Sequence, residues 1–253
     1  MKNYQTVERR ASGVESREQA GSRSFCPRPL LLVSRPAFTM VELLIVIGII
    51  AVIAALLLPV AAAVKKRAYI QATQTQMAQI ETAIDRYKSA YGFYPPGNPN
   101  NILINQLYFE LEGTTLTTNG IFQTLDGSAT IAAADVNVNF GVNGFMNCNR
   151  PNADESAPSA RDFLPDLKPD QIPTLKTNAT DVVKILVASV GGPDPTYQPL
   201  GPGKRDMNPW RYNSANPTNN PGVYDLYVQL QIAGKKYLIC NWSKEVQINS
   251  PLP

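Results

Sequence analysis

Acid–base or hydrolytic chemistry near neutral pH most often depends on histidine, and this chain of 253 residues contains none. Ser/His/Asp and Cys/His arrangements are thereby removed, together with the commonest zinc ligand. The acidic residues form no cluster: Asp194, Asp206 and Asp225 are isolated in sequence and read as solvated or capping groups. No Gly-rich phosphate loop occurs, so no catalytic residue, cofactor or metal is expected. Of three cysteines, Cys26 lies in a basic N-terminal segment. Cys148 and Cys240 are left as the one pair that a disulfide could join, and the choice between a bridge and two buried thiols stays open. The carboxylate most out of place is Glu42, at the edge of an otherwise apolar stretch that begins Phe38-Thr39-Met40-Val41-Glu42-Leu43-Leu44. At a bilayer centre such a charge costs about 2.5–3.5 kcal/mol, and less near the edge, so its place there needs a reason.

The element that positions Glu42 is the run from Leu43 to Val64, 22 residues without a charged or strongly polar side chain. A bilayer core needs about 20 such residues as a helix. Before it, residues 1–37 hold seven basic and three acidic side chains, a balance of +4 against +3 for the whole chain, which leaves −1 for the rest. The basicity therefore belongs to the leading segment, and no nucleic-acid partner follows from it. Lys65, Lys66 and Arg67 close the run at its other end and read as a solvated collar near lipid headgroups.

Beyond the collar the pattern becomes amphipathic. Ile70, Met77, Ile80, Ile84, Tyr87 and Tyr91 recur at spacings of seven, three, four, three and four, with Gln71, Gln74, Gln79, Glu81, Asp85 and Lys88 on other faces. Joined to the apolar run, this predicts one helix from Phe38 to Tyr91, about 80 Å long at 1.5 Å per residue. Pro59 is expected to kink it. Gly92 and Pro95-Pro96 are expected to stop it.

Residues 92–253 are rich in Pro, Gly, Asn and Thr and suggest a loop-rich α+β head. Ile102–Glu112 reads as a helix, and Thr180–Val190 as a helix or a buried strand. The polar stretch from Asn147 to Pro173 reads as a long surface loop. Tyr224, Leu226, Val228, Leu230 and Ile232 alternate with Asp225, Tyr227, Gln229 and Gln231 ahead of a turn at Gly234-Lys235 and a second apolar stretch from Tyr237 to Trp242. That pattern predicts a β-hairpin with one face on the amphipathic helix.

The N-terminal pattern resembles the leader and first helix of type IV pilins and of the pseudopilins of type II secretion. The residues that carry the resemblance are the basic leader, Ala37 where the family usually has glycine, Phe38, Glu42, the long apolar helix and Pro59. The resemblance implies cleavage between Ala37 and Phe38 by a prepilin peptidase, N-methylation of Phe38, and pairing of the Phe38 ammonium with Glu42 of a neighbouring subunit. The partners it implies are that peptidase/methylase, like subunits and other pseudopilins in a filament, an inner-membrane assembly platform and the lipid bilayer. Pro209-Trp210, Tyr212, Tyr224-Asp225-Leu226-Tyr227 and Trp242 further resemble the end of the major pseudopilin, which commonly binds calcium in a loop after that stretch. Here the corresponding segment, Val228 to Tyr237, contains no Asp or Glu, so no calcium site of that type is expected.

The implied organisation is a leader at 1–37, a transmembrane and polymerisation helix at 38–64, an amphipathic stalk at 65–91 and an α+β head at 92–253, pilin-like, with the stalk packed on a small antiparallel sheet. The function implied is that of a pseudopilus subunit. A true type IV pilin for adhesion, motility or DNA uptake is the alternative, and a membrane-anchored domain of another class is a third reading.

Overall fold

The computed structural model describes residues 38–151, 158–164, 167–188, 196–204 and 207–253. The 1–37 leader, with Cys26 and Ala37, lies outside the described residues, as do Asp194, Asp206 and the side chain of Pro59. The chain divides into two compact units at Val52/Ile53. Helix α1 (Met40–Tyr91) contributes to both.

The described part of the first unit is the start of α1, and every side chain from Phe38 to Val52 is exposed. The helix starts as the spacing of Thr39 and Glu42 dictates. Glu42 N donates to Thr39 Oγ1 at 3.2 Å, while Glu42 Oε2 accepts from Thr39 N at 2.9 Å and from its hydroxyl at 2.8 Å. This reciprocal exchange is a capping box, and it satisfies two of the N–H groups that a helix start leaves over.

The second unit is α+β. Its part of α1 ends where expected, with Gly92 at φ +85° and its N–H donating to Lys88 O at 2.7 Å. Two sheets follow in place of the single small one read from sequence. One is mixed and six-stranded, in the order β4 (Cys148–Asn149), β1 (Thr114–Leu116), β2 (Ile121–Thr124), β3 (Thr130–Ala132), β6 (Val182–Lys184), β5 (Thr174–Thr177). The other is antiparallel and four-stranded, in the order β10 (Ser243–Ile248), β9 (Lys235–Cys240), β8 (Asp225–Ile232), β7 (Arg211–Asn213). Helices α2 (Leu107–Glu112) and α3 (Ala133–Phe140) and a 3₁₀ turn at Pro169–Gln171 complete the unit.

The expected hairpin is β8–β9. Ala233 (φ +49°) and Gly234 (φ +74°) form its two-residue turn, the left-handed pair that matches the twist of adjoining strands. Leu226, Val228 and Leu230 share one core with Ile80, Ile84 and Tyr87 of α1, which also holds Phe109 and Leu111 of α2 and Phe122 and Ile131 of the larger sheet. The opposite face is not left to solvent: Tyr227, Leu238 and Cys240 make a second cluster with Ile102 and Trp242. The stripe on α1 is also wider than its apolar residues, because Thr73 and Gln76 are buried in it and Gln76 Nε2 donates to Val187 O at 2.7 Å.

Two sequence readings are corrected, and the choice left open at 180–190 is resolved. The helix read at Ile102–Glu112 starts at Leu107, because asparagine side chains hold the preceding backbone in turns: Asn98 Oδ1 accepts from Asn100 N and Asn101 N, and Asn101 Oδ1 from Leu103 N. In 180–190 the β-branched residues prevail, giving β6 and a bridge from Val187 to Pro209. The stretch 147–173 is not simply a surface loop, since Asn147 is fully buried and Phe163 nearly so.

Candidate functional site

The residues singled out at the start of α1 lie together on one short segment. Phe38 is 78 % exposed two residues ahead of the first helical residue, and the Glu42 carboxylate is exposed, with both of its hydrogen bonds made to Thr39. Sequence reasoning gave Glu42 a partner in another subunit and missed Thr39. The signal was present, since Thr-x-x-Glu before an apolar run is the capping-box pattern.

From Phe38 to Leu56 every side chain is exposed, including Leu43, Leu44, Ile47, Ile49, Ile50 and Ile53. Isolated exposed hydrophobes are ordinary, but a surface of this extent marks contact with lipid or protein. α1 is long and apolar enough to cross a membrane by length and composition. Of the basic collar, Lys65 and Arg67 are exposed as expected, whereas Lys66 is half-buried with its ammonium 5.8 Å from the Tyr237 ring centroid. That distance is within cation–π range, so Lys66 contributes to docking β9 on α1.

A second constellation fixes the end of α1 to the head. Glu110, fully buried on α2, accepts from Tyr87 Oη at 2.9 Å, Met146 N at 2.9 Å and Asn147 N at 3.1 Å. Asn147 passes the network on: its amide donates to Glu110 O and Arg161 O, and its Oδ1 accepts from Tyr91 Oη and Arg161 N. Burial raises the Glu110 pKa above the usual carboxylate range, against the three donors that lower it. Sequence offered only a faint signal, one acid inside the apolar stretch Leu107–Leu111. A buried carboxylate in a cleft with a nucleophile would invite a catalytic reading. Among the described residues its donors are the backbone N–H groups of Met146 and Asn147 and the Tyr87 hydroxyl, so the carboxylate ties α1 to the head.

The remaining candidates are kept apart. Cys148 on β4 and Cys240 on β9 belong to different sheets, and both are free buried thiols, so the bridge left open by sequence is not made. Burial pushes the Cys240 thiol pKa up, away from reactive thiolate character. Asp225 caps a loop: its carboxylate accepts from Thr218 N, Asn219 N, Asn219 Nδ2 and Asn220 N at 2.8–3.2 Å. Among the described residues no three His, Cys, Asp or Glu side chains group as a metal site. Comparison of the chain with family models, with curated proteins and with solved structures finds no match in any of the three.

Proposed function

We propose that this chain is a structural subunit of a type II secretion-like pseudopilus, one that polymerises through its N-terminal helix. In this reading a prepilin peptidase cuts between Ala37 and Phe38 and the new Phe38 amine is methylated. The helix crosses the inner membrane with its N-terminus cytoplasmic and the pilin-like head on the far side. The observation that carries the proposal is the uncovered apolar start of α1, headed by Phe38 and broken by the single carboxylate of Glu42.

A lone subunit keeps its apolar helix in lipid, where backbone hydrogen bonds are satisfied internally. In the filament the same surface packs on helices of like subunits and other pseudopilins delivered by an inner-membrane assembly platform. Lipid tails are as apolar as leucine, so that exchange gains by close packing and by polar pairing. Glu42 supplies the polar part. Its carboxylate and a neighbour's Phe38 ammonium neutralise each other where either alone would be costly, and so fix axial register. In the single chain the carboxylate rests on Thr39, so assembly trades that contact for the neighbour's cation.

Assembly assays on Glu42→Ala and Thr39→Val test this. Both remove the capping box, but only Thr39→Val keeps the carboxylate, so Glu42→Ala is expected to insert in the membrane and fail to enter filaments while Thr39→Val assembles. Equal failure of the two would assign the effect to the helix start and remove the charge pair. A type IV pilus subunit would share these steps, but the two free thiols give that reading no disulfide-closed C-terminal loop in its favour.

A further inference from the structure

The hairpin β8–β9 lies along α1 with its tip toward the apolar end of the helix. At one end the ring of Tyr224, just ahead of β8, packs edge-on against Tyr94, beyond the end of the helix, with centroids 5.1 Å apart. At the other end the Lys66 ammonium lies 5.8 Å from the ring centroid of Tyr237, which pairs with Leu230 late in β8. All four residues belong to the second unit. Lys66 is two residues past Val64, about 3 Å of helix beyond the apolar run. Lys235 lies two residues from Tyr237 in the direction of the tip, about 7 Å of strand. The tip therefore comes level with the last apolar turn of α1.

What it brings there is charge of one sign. Lys235 and Lys236 are both exposed, and as neighbours on a strand they point to opposite faces of the sheet, so an ammonium stands on either side of the tip. Lys65 and Arg67 on α1 are exposed beside the half-buried Lys66. The segments that carry these five cations hold no acid: neither Asp nor Glu occurs from Leu43 to Ile80, from Leu226 to Lys244 or from Val246 to Pro253. Two basic segments far apart in sequence thus meet at one level of the helix, where an apolar surface gives way to a polar one.

We propose that the hairpin tip and the collar together bind the headgroups of anionic phospholipids in the bilayer that α1 crosses. The headgroup layer is roughly 5–8 Å deep on each side of the hydrocarbon core, a depth that the tip matches and that long lysine stems can reach. Each basic side chain near an anionic surface contributes about a five-fold factor in affinity. The collar lies on the helix itself, so the tip supplies a second point of attachment to one side of it. This inference rests on the reading of α1 as a membrane span and is independent of filament formation.

The test reconstitutes the full-length chain in phosphatidylcholine bilayers containing trace spin-labelled phosphatidylglycerol or spin-labelled phosphatidylcholine. Electron spin resonance of the motionally restricted lipid gives the relative affinity of the protein boundary for the two. Phosphatidylglycerol is expected to be favoured about five-fold or more, with the preference falling toward equality at about 0.5 M salt. Lys235→Gln combined with Lys236→Gln is expected to lower the preference about two-fold or more. The hydrogen bonds that join Lys236 to Asn249 are made by the lysine's backbone, so this variant keeps them. Lys244→Gln, exposed on β10 where Ser243 pairs with Cys240 at the far end of β9, is expected to leave the preference unchanged. Equal affinity for the two lipids overturns the proposal while the restricted lipid still shows the chain in the bilayer. A preference unchanged in the double variant, or lowered as much by Lys244→Gln, also overturns it. No restricted lipid with either label would overturn the membrane span and this proposal with it.

Discussion

Replacing Tyr87 with phenylalanine removes one oxygen from the junction between α1 and the head and nothing else. The ring would keep its packing against Tyr91 and Phe163, whose centroids lie 4.7 and 5.5 Å away. What is lost is the 2.9 Å bond to Glu110, one of three donors to a carboxylate that water does not reach. An ordinary hydrogen bond is worth about 0.5–1.5 kcal/mol and one to a charged group about 1.5–3 kcal/mol; because burial raises the Glu110 pKa and two backbone donors remain, the expected loss is about 1–2 kcal/mol. Glu110→Gln should cost more, about 2–4 kcal/mol, because its amide has one acceptor oxygen for the backbone N–H groups of Met146 and Asn147 and turns a donor toward other donors. The two changes share one bond, so the double variant should lose less than the sum of the single losses. Urea unfolding of the chain in micelles, followed by the fluorescence of buried Trp210, reads all three. A Tyr87→Phe loss below about 0.5 kcal/mol, or strict additivity, would refute the claim that this bond ties the helix to the head.

Glu112 gives a pH signature. Burial first, then the neighbouring carboxylates of Asp162 and Asp126, push its pKa from 4.5 up to about 7, with Lys184 pulling the other way. The folded chain thus holds a proton that the unfolded chain releases, so stability should fall as pH rises from about 4.5 to 7 and then level off. Comparison of urea midpoints at pH 5 and pH 8 should show a smaller difference in Glu112→Gln. Gly113 has φ +80°, and a Cβ there would meet Arg161 O at 2.8 Å and Leu125 Cδ1 at 2.9 Å. Gly113→Ala should therefore cost about 2 kcal/mol or more, whereas Gly234→Ala, strained at φ +74° but with open space around it, should cost about 1 kcal/mol. Asp225→Ala should free the loop at Thr218–Asn220, seen as faster amide exchange at those three positions with β8 and β9 still protected.

The parts legible in the sequence are those with long period. The apolar run and the stripe from Ile70 to Tyr91 specify α1, and the alternation from Tyr224 to Ile232 specifies the hairpin, because each repeats one burial choice over many residues. The six-stranded sheet escaped because β1, β3 and β6 are three residues each and β4 only two, too short for an alternation to declare itself. The start of α2 at Leu107 was hidden because asparagine chemistry, not hydropathy, decides it. Gln76, Glu110 and Asn147 look like surface residues by type, and their burial is decided by partners 23 to 111 residues away in sequence. At the candidate site the legible part was a carboxylate facing an apolar helix. The part harder to read was Thr39, because a lone charge stands out against apolar neighbours whereas a helix start is marked only by the Thr-x-x-Glu spacing that the same carboxylate completes.

The central claim is tested most directly by mass spectrometry of the N-terminus of the membrane-extracted chain from its native host. The account requires a chain beginning at Phe38 with one added methyl group on its amine. A chain that retains the basic leader as a plain signal anchor would contradict it, because no ammonium would then exist at Phe38 to meet Glu42.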